Sequence, residues 1–313
     1  MEPAFGVESP VYVAIRAALS ISTVGLLGAL ALRFVVLARY AGPDASALRA
    51  AVDARLPRWI DALGLAAVLA TLARLGAQHA AVFGTDAPLS GDSLATLLFR
   101  AGWGRTWWLS LSSALAVTWL APRLRRRPVA TWTTLAAVVV VLAASQPSSG
   151  HPAAAAQPLV AIAVQLLHMV GAGGWVGSLA LLTFVAIPAA RRLDEDAASA
   201  ADARIAALVR AFSPTALVFA GLLGMTGLVT AWRNLGGIAP LWESQYGRTL
   251  LLKLFLLSIV AGTGAYNWRK VLPELGEPPA SAKLRRSSLI ELGAAWLVLI
   301  VSAVLVATPM PGE

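Results

Sequence analysis

The sequence predicts an all-α polytopic membrane protein with about eight transmembrane helices and both termini on the periplasmic side. Three observations carry this expectation. Of 313 residues, 58% are hydrophobic and only 13% are charged, whereas a soluble domain runs about 45–50% apolar and about 25% charged. The apolar residues fall into eight separate runs of roughly the length a helix needs to cross about 30 Å of hydrocarbon. The basic residues concentrate in every second connection between those runs. A mean hydropathy of +0.72 excludes a soluble enzyme, a disordered tail and a nucleic-acid-binding domain. The net charge of +9 does not restore a nucleic-acid partner, because the charges sit in short loops bordering the apolar runs.

The runs lie at 12–38, 59–82, 105–121, 129–147, 158–188, 211–232, 249–268 and 288–308. The first follows MEPAFGVESP, which carries two acids and no basic segment, and it is longer than a signal-peptide core; it reads as a retained span. The second begins after Pro57-Arg58. The third and fourth are short, and PRLRRRP separates them, two prolines bracketing four arginines. An uncharged loop containing His151 leads into the fifth. No long linker interrupts the chain, so residues 1–313 read as a single membrane domain.

Orientation follows from Lys and Arg, which favour the cytoplasmic side. The connections at 39–58, 122–128, 189–210 and 269–287 hold seventeen of them, the opposite side holds five (Arg16, Arg100, Arg105, Arg233 and Arg248), and Arg33, Arg74 and Lys253 fall within spans. Trp59, Trp103, Trp107, Trp232, Trp242 and Trp268 lie near predicted span ends, as an interfacial aromatic belt does. Trp175 lies well inside the fifth span.

Two segments echo each other. Trp103-Gly104-Arg105-Thr106 opens the third span and Tyr246-Gly247-Arg248-Thr249 the seventh; Gly28-Ala29-Leu30-Ala31-Leu32 in the first resembles Gly177-Ser178-Leu179-Ala180-Leu181 in the fifth. Two readings stay open: a parallel four-plus-four repeat, or a common way of starting a helix at the interface.

Cysteine is absent, so disulfides and thiolate ligands are excluded. The three histidines, His79, His151 and His168, all fall toward the outer side. His168 is the sharpest signal, since an ionisable residue at depth in a membrane implies function by default. Gln165, His168, Ala172 and Trp175 share one face at spacings of three, four and three, so Gln165 is placed to orient the ring as an outer-sphere group. Gly173 and Gly177 lie on another face and form a small-residue packing seam. The bland alternative for His168 is a hydrogen-bonded histidine inside the bundle. For His151 it is a solvated turn, and for His79 an interfacial side chain. Met169, Met225 and Met310 extend the set with thioethers, although methionine in an apolar helix is mostly a gap-filler. Together the imidazoles and thioethers suit copper(I). Arg33, Asp61 and Glu291 lie near span ends and can snorkel; Arg74 and Lys253 are deeper, and a proton or ion relay through them is another reading. No phosphate-binding glycine loop, HExxH or Ser/His/Asp arrangement occurs, so no enzyme is expected.

The ordered motifs resemble the copper resistance protein D family of bacterial inner membranes. The matching pieces are Gly150-His151 before the fifth span; Leu167-His168 with Ala172, Trp175 and Gly177 within it; Phe212-Ser213 and Thr226-Gly227-Leu228 in the sixth; Tyr246-Gly247-Arg248, Lys253 and Asn267 in the seventh; and Leu284-Arg285-Arg286-Ser287 with Glu291 before the eighth. The close similarity covers residues 145–309, and the first half matches in its plan of spans. Pro152 departs from the alanine common in the family after Gly-His. The resemblance implies copper homeostasis at the inner membrane, a small periplasmic copper-binding partner of the CopC type, and His151 and His168 as ligands.

Three functions follow as expectations. The leading one is capture of copper outside by His168 and His151, with His79, Met225 and Met169 as further candidates, and movement inward. The second is a redox protein holding one b-type haem, for which His79 and His168 are the available axial pair. The third is a non-transporting membrane partner for a periplasmic copper carrier.

Overall fold

The computed structural model describes residues 6, 9–125, 128–149, 155–193, 198–266, 269–270, 293–294, 297–308 and 311. Among them every regular element is helical. Helix α1 spans Pro10–Arg39, α2 Ala45–Phe83, the short α3 Gly91–Ala95, α4 Gly102–Leu120 and α5 Pro128–Ser145. After the connection come α6 at Pro158–Arg191, α7 at Ala198–Leu235, the short α8 at Pro240–Glu243, α9 at Gln245–Tyr266 and α10 at Leu297–Ala307. Six helices among the described residues are long and apolar enough to cross a membrane: α1, α2, α6, α7, α9 and the stretch Ala130–Ser149 that continues α5. The third expected span is present as the 19-residue α4 but is not one of the six. The eighth, at 288–308, is described at 293–294 and 297–308, where α10 lies and is shorter than the six; Trp268, Asn267, Glu291 and Met310 lie outside the described residues.

Local chemistry sets several starts. Ser9 caps α1 by accepting from the Tyr12 amide, and Pro10 occupies the first turn, where its missing N–H costs nothing. Ser90 and Ser93 form a reciprocal capping box on α3.

Two helices begin earlier than their apolar runs. The second run was expected from residue 59, yet α2 starts at Ala45 and passes through Pro57. The sixth was expected from 211, yet α7 starts at Ala198. The reason is amphipathicity: Leu48, Val52, Leu56 and Ile60 recur every four residues and are completely buried, while the intervening positions include half-buried Arg55 and exposed Arg58. A window that requires uniform apolarity misses such a segment. At 1.5 Å per residue α2 is about 58 Å long, roughly twice the hydrocarbon thickness. Its first third, with the start of α7, therefore builds a collar at the arginine-rich end. There Arg204, only 4% exposed, donates from Nε and Nη2 to Asp44 Oδ2 at 3.0 and 2.7 Å. Asp44 holds φ 53° to reach it.

Helix α1 is central. It packs on α2, α5 and α6; α6 packs on α7, α2 on α4, and α4 on α5. One core of buried residues runs through these helices. The expected glycine seam on α6 meets α1: a β-carbon on Gly28 would lie 2.6 Å from Gly177 Cα, and one on Gly177 would lie 3.0 Å from Gly28 Cα. The backbones thus touch at the two glycines whose neighbourhoods echo in sequence. The second echo has a matching structural role. Gly104 lies against the carbonyls of Leu97 and Leu98, and Gly247 against those of Pro240 and Leu241, each closing the short preceding helix onto the next. Helix α6 also carries two single π-turns, Gly173–Gly177 and Leu182–Ala186, which shift the helix faces relative to one another.

Arg33, expected to snorkel, meets Asp53 of α2 at 2.7 Å and lies over the Trp132 ring.

Candidate functional site

His168 sits ten residues into α6, half-buried between α6 and α7. Its Nδ1 is 3.0 Å from Thr226 Oγ1 on α7. Gly227 makes room for the ring, since a β-carbon there would stand 3.3 Å from His168 Cε1. The Thr226 hydroxyl has one proton, and Oγ1 lies 2.7 Å from the Leu222 carbonyl, which accepts it. Thr226 is thereby left as an acceptor, so the proton of the imidazole belongs on Nδ1. Nε2 keeps its lone pair, the state in which histidine binds a metal. The orienting contact thus comes from another helix, and Gln165, on the same turn of α6, makes no hydrogen bond with the ring among the described residues. In the sequence Thr226 was marked only as part of the Thr226-Gly227-Leu228 motif that carries the family resemblance.

Lys253 of α9 is close enough to act on His168 electrostatically. No carboxylate lies within 4 Å of it among the described residues, and a charged ammonium cannot ligate a metal.

The other candidates are dispersed. His79 is 3% exposed on α2; its Nε2 is 3.0 Å from Ser93 Oγ, and its ring packs 5.0 Å from that of Phe83. Met169 is buried in the core, whereas Met225 is 73% exposed on the outer face of α7. Trp175 is buried within the first π-turn of α6. His151 lies outside the described residues. Among the described residues no three His, Cys, Asp or Glu side chains cluster as a metal site.

Two sequence models of known families match the chain. That of copper resistance protein D covers residues 206–305, which include Thr226, Gly227 and Lys253. That of the copper resistance protein D-like N-terminal domain covers residues 7–159, which include His79 and His151. The N-terminal half therefore carries its own family signature, beyond the shared plan of spans expected for it. His168 falls between the two matched stretches. The chain is 26% identical over 264 residues to the copper transport protein CutJ of Bacillus subtilis (strain 168), a match covering 81% of this chain but 45% of that protein. The chain thus spans less than half the length of this relative. No solved structure matches. With both halves matched and the helices apolar and long enough to span a bilayer, the chain is a multi-pass membrane protein belonging to the copper resistance protein D family.

Proposed function

We propose that the chain captures copper at the periplasmic face of the bacterial inner membrane and moves it inward across the bilayer. Family membership and the printed name of the Bacillus relative support a copper cargo. The observation that carries the reading is the His168–Thr226 pair, because it holds an imidazole at depth with its Nε2 lone pair available. His168 is the ligand within the membrane and His151 the capture ligand in the outer loop. His79, Met169 and Met225 are secondary candidates, with His79 already engaged by Ser93. With imidazole and thioether donors and no cysteine, the cargo is copper(I). A periplasmic copper-binding protein of the CopC type delivers it. The eight-span arrangement, with the seventeen-to-five bias of basic residues, puts the arginine-rich collar in the cytoplasm.

The test is copper uptake into proteoliposomes holding only this chain. Wild type should accumulate copper, and His168→Ala, at matched folded yield, should not. Copper bound by the wild type but never moved would overturn transport and leave a membrane receptor for a carrier.

A further inference from the structure

A second polar cluster lies on the other side of α1, where α1, α2, α4 and the end of α5 meet. The Tyr12 hydroxyl donates to Gln78 Oε1 at 2.5 Å, joining α1 to α2. These helices run antiparallel, so one turn further in from that bond each presents an arginine: Arg16 on α1 and Arg74 on α2. The two are near enough for their charges to oppose each other. Arg74 is 5% exposed. Its Nη2 donates to Ser149 Oγ at 2.8 Å, its guanidinium lies 5.4 Å from the Trp103 ring centroid, and its Nε has no hydrogen-bond partner among the described residues. The Trp103 indole N–H is likewise buried and without a partner among the described residues. No carboxylate lies within 4 Å of either arginine among the described residues.

We propose that Arg16 and Arg74 form a binding site for a phosphate-class oxyanion. A buried guanidinium without a counter-charge is among the costliest arrangements a membrane protein can hold, and a second cation one helix away raises that cost. One bound oxyanion offsets both charges and supplies an acceptor for the two orphan donors, Arg74 Nε and the Trp103 indole. Guanidinium suits this because its fork matches two oxygens of one phosphate. Water would satisfy the donors but leave the charges unbalanced. Half-buried Arg16 gives access from the surface. The tryptophans of α4 place the cluster near headgroup depth, so the phosphate group comes from a phospholipid headgroup or from free phosphate. Two cations repel copper, so this site is separate from His168 and does not depend on the copper reading.

The experiment is a thermal unfolding series on the full chain without copper. Inorganic phosphate is titrated in neutral detergent; phosphatidylglycerol is titrated in mixed micelles against phosphatidylcholine as the neutral control. Saturable stabilisation of the wild type is expected. Response to phosphate alone identifies the free anion, and response to phosphatidylglycerol alone the headgroup. Arg74→Gln should abolish the response. Because that variant removes a buried group, the more accessible Arg16→Gln provides the second test and should weaken apparent affinity about tenfold or more, in keeping with the loss of a charge-assisted hydrogen bond. No response in the wild type to either source would overturn the site, since the charges would then be balanced within the chain. A response kept unchanged in Arg16→Gln would also overturn it.

Discussion

Replacing Thr226 by valine tests whether the imidazole of His168 is held ready for a metal. The two side chains have nearly the same shape, so the change removes one hydroxyl and little else. That hydroxyl is the acceptor 3.0 Å from His168 Nδ1. Without it the half-buried N–H keeps only the Leu223 backbone nearby and loses its side-chain acceptor, at a cost of about 1–3 kcal/mol, which the ring escapes by rotating or by moving its proton to Nε2. Either response removes the lone pair from the position a metal needs. With about 1.4 kcal/mol per tenfold change, copper(I) affinity should fall about 10–100-fold, the range of outer-sphere losses at metal sites. Thr226→Ser keeps the acceptor and should bind nearly as wild type does. The assay is competition against a chelator of known affinity under reducing conditions, on detergent-purified variants at matched folded yield, with His168→Ala as the reference for lost binding. Wild-type affinity in Thr226→Val, together with lost affinity in His168→Ala, would refute the positioning argument.

Gly28→Ala should lower folded yield sharply, because its β-carbon would stand 2.6 Å from Gly177 Cα, where ordinary carbon contacts are about 3.5–4.0 Å. Gly76→Ala, with nothing within 4 Å, is the control, and equal yields would count against the glycine crossing. Asp44→Asn should cost about 2 kcal/mol in detergent unfolding; that is less than the about 3–5 kcal/mol of a fully buried pair, because the Asp44 side chain is 50% exposed. Asp92→Asn, which breaks the exposed 3.5 Å pair with Arg100, should change nothing measurable; similar losses in both would remove the distinction. Reporter fusions after residues 127 and 275, both outside the described residues, should read as cytoplasmic, and a periplasmic signal at either would reverse the topology.

Span centres were legible in the sequence because hydrocarbon imposes a single rule on every turn of a crossing helix. Where that rule ends, so did legibility. The first third of α2 is buried on one stripe only, at Leu48, Val52 and Leu56, so its helix was hidden behind Pro57 and the charges around it. The packing role of Gly173 and Gly177 was readable from their spacing; that Gly28 is the opposing surface was hinted at only by the echo. At the candidate site, His168 stood out by its rarity at depth. Thr226 did not, because a contact spanning 58 residues leaves no trace in the periodicity of either helix. Gln165 looked better placed because same-helix neighbours are what periodicity reveals. The π-turns of α6 were likewise unreadable, since one extra residue in a turn changes no composition.

The collar has a consequence for the cell's energy supply. A protein set in a charged, proton-pumping membrane must not short-circuit it. Leu48, Val52, Leu56 and Ile60 of α2, with Ala189 and Ala190 at the end of α6 and Ile205 and Leu208 of α7, are all buried in the apolar core at the arginine-rich end. Hydrated protons and sodium ions would have to shed their water to enter it, at an electrostatic cost that rises steeply in so apolar a medium. Of the guanidiniums at that end, Arg204 is buried beside the Ala190 carbonyl and paired with Asp44, while exposed Arg58 adds a repulsive field against an approaching cation. In this conformation an ion could pass between these helices at that end only if the buried side chains moved apart.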